Sequence, residues 1–250
     1  MLVDAAIFVQ FVFGFTILVR AIQHGCVSRF PFFHSYLVYF LATGVVDVCV
    51  FAWAPQQYPT FFWIKFFTLV IAEFALLLEI GDHIFRPYPA IRKLGRLITL
   101  GITFVFSVLY ILPPLSESRP SSLAILDLIK RSALTKGIVI VALLAAARYY
   151  RVRVNRNVAG LILGLAVYLT LHLANFALAE IYGRELYGPI FSTVAVLAHI
   201  LCLLIWTVAL WRPEPDFEPA REFAAAPVTA EPVPNRLGKF NTALARLLGR

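Results

Sequence analysis

The sequence predicts an all-α polytopic membrane protein, a bundle of seven transmembrane helices with its N-terminus outside and its C-terminus in the cytoplasm. Three observations predict it: a strongly apolar composition, a division into long apolar runs with short gaps, and basic residues clustered in alternate gaps. Of the 250 residues, 60% are hydrophobic and 14% are charged, with a mean hydropathy of +0.81. Soluble domains carry about 25% charged residues, so most of this chain must meet lipid or other apolar helices. The net charge of +8 does not argue for nucleic acid, because the basic residues sit where membrane insertion places them.

The runs are about Ala5–Ile22, Pro31–Trp53, Phe61–His83, Leu97–Leu112, Ser122–Arg148, Val158–Glu180 and Ile190–Trp211. At ~1.5 Å per residue such runs can cross a hydrocarbon layer of ~30 Å. Prolines mark their edges: Pro31, Pro55, Pro59, Pro87, Pro89, Pro113, Pro114, Pro120 and Pro189 all fall at run ends, so the spans should be largely unkinked. Trp53, Tyr58, Trp63, Tyr149, Tyr150, Tyr182, Tyr187 and Trp211 suit interfacial aromatic belts. The start, Met1-Leu2-Val3-Asp4, lacks the basic region and cleavage site of a removable signal.

Orientation follows from the gaps. The first carries Arg29, with Arg20 just before it. The third carries Arg86, Arg92, Lys93 and Arg96, and the fifth Arg148, Arg151, Arg153 and Arg156. The second gap has no basic residue, the fourth only Arg119 and the sixth only Arg184. The positive-inside rule places the odd gaps in the cytoplasm, and the bacterial inner membrane is the expected location.

Ionisable groups within spans are costly and usually face a bundle interior. Counted from the cytoplasmic helix ends at ~1.5 Å per residue, Glu73 lies at ~17 Å, Lys136 and His199 at ~18 Å, His172 at ~21 Å and Asp47 at ~24 Å. These five, Asp47, Glu73, Lys136, His172 and His199, are the candidate ligand- or ion-binding residues. The acids and the lysine would balance charge, and the histidines would titrate or ligate. A hydrogen-bonded plug that only sets helix register is the competing reading. An outer polar cluster comprises Lys65, Asp127, Lys130 and Arg131, with Asp127 placed to pair locally with Lys130 or Arg131. Glu79 and His83, four apart, suggest an interfacial salt bridge. Gly160 and Gly164 form a GxxxG pattern suited to close helix packing.

Cys26, Cys49 and Cys202 have no metal or redox spacing. No metal, cofactor or catalytic residue is expected, and the chain reads as a non-enzyme. Residues 1–211 form the bundle and 212–235 a Pro/Ala/Glu-rich disordered linker. Residues 236–250 form a basic amphipathic helix at the inner membrane surface. Arg236, Lys239, Phe240, Leu244, Arg246 and Leu247 carry that surface contact; docking to a cytoplasmic partner is its alternative.

The stretches EIGDHIFRPYPAIRKLGR (79–96) and ARYYRVRVNRNVAGLILG (147–164) resemble those of uncharacterised bacterial seven-helix membrane proteins. That group is similar in layout to the seven-helix sensory modules that precede some histidine kinases. The resemblance covers about 5–211 and implies a sensory bundle, here without the transmitter domain; it transfers no functional residue. A retinal protein would need a lysine in the last run, and 190–211 has none. Two roles remain. One is a sensory or small-ligand-binding protein that signals through its cytoplasmic loops and tail to a separate signalling protein. The other is a small transporter or ion-coupled carrier using the mid-membrane Glu/Lys/His layer.

The tail reading makes a direct prediction. A peptide of residues 236–250 should bind vesicles of anionic lipid as a helix and detach as salt rises, because the charge attraction is screened. Circular dichroism with a vesicle-sedimentation assay checks it; binding indifferent to lipid charge would favour the partner instead.

Overall fold

A computed structural model describes residues 2–111, 121–212 and Glu214. Among them are seven α-helices and no strand: α1 (Leu2–Gln23), α2 (Pro31–Trp53), α3 (Tyr58–Ile84), α4 (Pro89–Ile111), α5 (Ser121–Tyr149), α6 (Arg156–Tyr182) and α7 (Arg184–Leu210), with a short 3₁₀ turn at Pro55–Gln57. The expected linker (212–235) and the amphipathic helix with Arg236, Lys239, Phe240, Leu244, Arg246 and Leu247 fall, apart from Arg212 and Glu214, outside the described residues.

Five of the helices are long and apolar enough to cross a membrane, over Ala6–Gln23, Pro31–Trp53, Pro55–Ile84, Arg156–Tyr182 and Ile190–Leu210. The fold is therefore that of a helical membrane protein. The two other helices are more charged: α5 carries Asp127, Lys130, Arg131 and Lys136, and α4 opens with Arg92, Lys93 and Arg96. Large apolar side chains face outward, among them Phe8, Phe15, Phe51, Ile71 and Ile181. Water would penalise such a surface, whereas hydrocarbon does not.

Helix ends follow local chemistry. Pro31 opens α2 and Pro89 opens α4, where the missing N–H is not needed. α1 ends in a left-handed residue, Gly25 (φ 64°), and the Cys26 N–H returns to the Ala21 carbonyl at 2.8 Å. This is a Schellman closure with glycine in its usual place. α5 ends the same way, with Val152 N–H on the Ala147 carbonyl at 2.9 Å, but the left-handed residue is Arg151 (φ 51°). A non-glycine residue is strained there.

Two helices begin well before their apolar runs: α4 at Pro89 rather than Leu97, taking in the basic Arg92, Lys93 and Arg96, and α7. α7 begins at Arg184, not Ile190, so Pro189 lies inside the helix, in its second turn. The polar run before Pro189 joins the helix because tertiary packing holds it: Tyr187 is buried, and its hydroxyl donates to Asn175 Oδ1 at 2.7 Å.

The densest packing joins α6 to α7. A Cβ on Gly160 would collide with Ala209, and one on Gly164 with the Trp206 indole. Trp206 is fully buried and donates from Nε1 to the Leu161 carbonyl at 3.1 Å. The GxxxG pattern thus works within the chain, and Phe33 and Tyr36 of α2 close over the same indole edge-on.

Replacing Gly164 by Leu should force Trp206 out of this seat and break its hydrogen bond. Overpacking of this kind costs ~1–3 kcal/mol. A lowered midpoint of thermal unfolding in detergent, with Trp206 more accessible to a quencher, is the expected outcome.

Candidate functional site

α3 is the element from which the polar contacts are organised. Its residues Lys65, Glu73, Glu79 and Asp82 lie at successive levels of one helix and each meets a different partner. At the middle level, Lys136 of α5 donates from Nζ to Glu73 Oε2. Both are almost wholly buried, at 6% and 4% exposed. An isolated buried charge would neutralise; a paired one can persist. Depth counting pointed to these two residues, and the α3–α5 approach brings them together.

The histidines lie beside this pair. His172 stacks against Tyr168 with ring centroids 5.3 Å apart, and His199 tilts against the same ring at 5.6 Å. Phe40 of α2 packs edge-on to His199 at 4.4 Å, and Phe176 edge-on to His172 at 4.9 Å. Tyr168 thus separates two imidazoles from α6 and α7. His172 feels the Lys136 charge, and Tyr36, Tyr168 and Cys202 feel that of Glu73. Side chains of α2, α3, α5, α6 and α7 therefore share one layer.

Three buried polar atoms of this layer have no hydrogen-bond partner: Ser132 Oγ on α5, His172 Nδ1 on α6 and His199 Nε2 on α7. Ser132 is only 4% exposed and lies one turn from Lys136. Native interiors leave few such groups, and each costs roughly 1–3 kcal/mol. Each imidazole nitrogen can donate or accept one further hydrogen bond, according to its tautomer. Among the described residues, no three His, Cys, Asp or Glu side chains gather as a metal site.

Asp47 does not join this layer. It pairs with Lys65 of the expected outer cluster, across α2 and α3, each side chain 25% exposed. Three turns separate Asp47 from His34 on α2, and α3 offers a nearer cation at its outer end. Of the other outer residues, Lys130 reaches across to Glu180 of α6 at 2.5 Å. Asp127 is engaged as well, and Arg131 is exposed. Of the expected outer cluster, Lys65 and Lys130 thus each meet an acid of a neighbouring helix.

The structure also gives polar residues partners that sequence reasoning missed. Glu79 does not form a salt bridge with His83. Its two carboxylate oxygens accept the N–H groups of Phe32 and Phe33 at 3.0 and 2.9 Å. Phe30, the cap residue of α2, supplies no side-chain acceptor, so Glu79 caps α2 from another helix. The His83 imidazole turns back to the Glu79 carbonyl, with Nδ1 at 2.9 Å. Asp82 bridges to α4, accepting from Arg92 Nε and Nη2 at 3.0 Å each and from Arg96 Nε at 2.9 Å. His34, buried, rests on the Phe30 carbonyl at 2.6 Å. No spacing rule announces Glu79 as a cap for a distant helix; the only signal was an acid near a helix start that lacked a cap.

Comparison with protein-family models, curated proteins and solved structures returns no match.

Replacing Glu73 by Ala should strand Lys136, and Lys136→Ala should strand Glu73. Each change should cost ~3–5 kcal/mol, as loss of one partner of a buried pair does. The double change should cost clearly less than the sum. Thermal unfolding of the four proteins in one detergent measures the coupling; strict additivity would show that the two side chains act separately.

Proposed function

We propose that this protein is a non-enzymatic seven-span membrane protein of the bacterial inner membrane with a sensory or small-ligand-binding role, its N-terminus outside and its C-terminus inside. The polar layer around Glu73 and Lys136 is the responsive centre, and the cytoplasmic loops and tail are the output. The observation that carries this reading is the set of unpartnered atoms, Ser132 Oγ, His172 Nδ1 and His199 Nε2, beside a buried ion pair. A layer meant only for packing gains nothing from leaving three polar atoms unsatisfied.

Contacts at the basic end support the topology. Glu79 ties the third helix end to the start of α2, Asp82 ties it to α4, and Arg29 and the Arg156 N–H meet Glu214 beyond α7. The first, third and fifth connections and the chain after α7 therefore share one end of the bundle. That end also gathers most of the basic residues, as the positive-inside rule asks of the cytoplasmic side. The same contacts give the centre a route outward: α3 carries Glu73 at mid-height and Asp82 and Glu79 near its end. A two-state shift of α3 would move both.

A reporter fused after Trp211 should behave as cytoplasmic and one inserted in 54–60 as external. In proteoliposomes the protein should produce no ion flux above that of empty vesicles. A proton or cation flux abolished by Glu73→Gln would select the carrier reading over the sensory one.

A further inference from the structure

The chain that follows α7 does not leave the bundle freely. The Arg20 guanidinium of α1 lies over the Trp211 ring, 4.2 Å from its centroid, and donates to the Trp211 carbonyl at 3.4 Å. Glu214 is held at three atoms. Its carbonyl accepts from Arg29 Nη1, between α1 and α2. Its N–H donates to Asn157 Oδ1 at 3.3 Å, and its carboxylate accepts the Arg156 N–H at 3.0 Å. Trp211 and Glu214 thus form a strap across the ends of α1 and α6.

The balance of this strap is delicate. A carboxylate on the first N–H of a helix gains from the local dipole, and a guanidinium over an indole adds a cation–π contact. Exposed contacts of these kinds are individually weak, and the entropy lost in ordering the backbone opposes them. An anion that competes for the Arg156 N–H and the Arg29 guanidinium can therefore displace Glu214. Arg20, Arg29 and Arg156 all lie at this end. Helix ends lie at the level of the lipid headgroups.

We propose that the strap is displaceable, and that the phosphate of an anionic phospholipid displaces Glu214 and frees the chain beyond it. Residues 236–250 of that chain carry Arg236, Lys239, Arg246 and Arg250 and no acid. The lipid that opens the strap is then also the surface that holds the released tail. This device stands whether the bundle is a sensor or a carrier, because it depends only on the strap and on the depth of the helix ends.

The test uses the full-length protein in nanodiscs and reads amide hydrogen exchange at Arg156 and Glu214, with Leu77 of α3 as the internal control. In pure phosphatidylcholine both strap amides should be protected. Admixture of phosphatidylglycerol should speed their exchange about tenfold, equivalent to ~1.4 kcal/mol, and leave Leu77 unchanged. Glu214→Ala in phosphatidylcholine should give the same acceleration. Unchanged exchange in that variant would overturn the strap, and unchanged exchange with phosphatidylglycerol would overturn its displacement. Equal acceleration by inorganic phosphate at matched ionic strength, in phosphatidylcholine alone, would assign the seat to a soluble anion and overturn the lipid as its occupant.

Discussion

A lysine and a glutamate buried at mid-height in a helical bundle cannot stand apart, because neither charge has water to solvate it. Lys136 is held against Glu73 for that reason, and the placement of α5 follows from it. α5 is the helix that composition alone would least readily bury, with Asp127, Lys130, Arg131 and Lys136 along it. It can lie in the bundle because α3 and α6 each supply an acid: Glu73 meets Lys136, and Glu180 meets Lys130. Removing Glu73 would leave Lys136 a cation whose desolvation nothing offsets, whereas the more exposed Lys130–Glu180 pair contributes little.

Seen from α3, the same logic repeats at every level. Lys65 meets Asp47 of α2, Glu73 meets Lys136, Glu79 satisfies the first N–H groups of α2, and Asp82 clamps Arg92 and Arg96 of α4. One helix thereby holds three neighbours through charge and hydrogen bonding, which fix direction and register. On the other side of the bundle, α6 and α7 are held by shape. Gly160 and Gly164 let Ala209 and Trp206 approach the backbone, where dispersion contacts accumulate over many atoms. His172, His199 and Tyr168 lie where these two kinds of packing meet. Neither kind supplies partners for the free imidazole nitrogens, which is why they stand unsatisfied.

Much of this was legible in the chain, and the limits are physical. Apolar runs pointed to each of the seven helices, five of them long and apolar enough to cross a membrane, because a span must satisfy its backbone internally and stay apolar over a set length. Depth arithmetic brought Glu73, Lys136, His172 and His199 to one level, since rise per residue is nearly constant. It set Asp47 furthest out of the five, and depth alone could not say that its ion partner would be Lys65 of the outer cluster. The Glu79–His83 spacing suggested a salt bridge within one turn, but the exposed N–H groups of α2 are stronger claimants for a carboxylate than a neighbouring imidazole. Pro189 looked like a boundary because a proline cannot donate. Inside the second turn of α7 that loss is tolerated, with Tyr187 packed and bonded to α6.

What the sequence alone determined is the class: helical, membrane-embedded, with its basic residues in alternate gaps, and with a small set of ionisable groups at mid-depth. Those properties depend on composition and on spacing along one helix at a time. The tertiary structure decided which charges meet, which helix end Glu79 caps, where Trp206 lies and how Glu214 is held to α6. Each of these depends on the rotation of one helix relative to another, and most on contacts between residues 45 or more positions apart. No local pattern encodes such a relation. It emerges only when the whole set of apolar faces, glycine gaps and buried charges is satisfied at once.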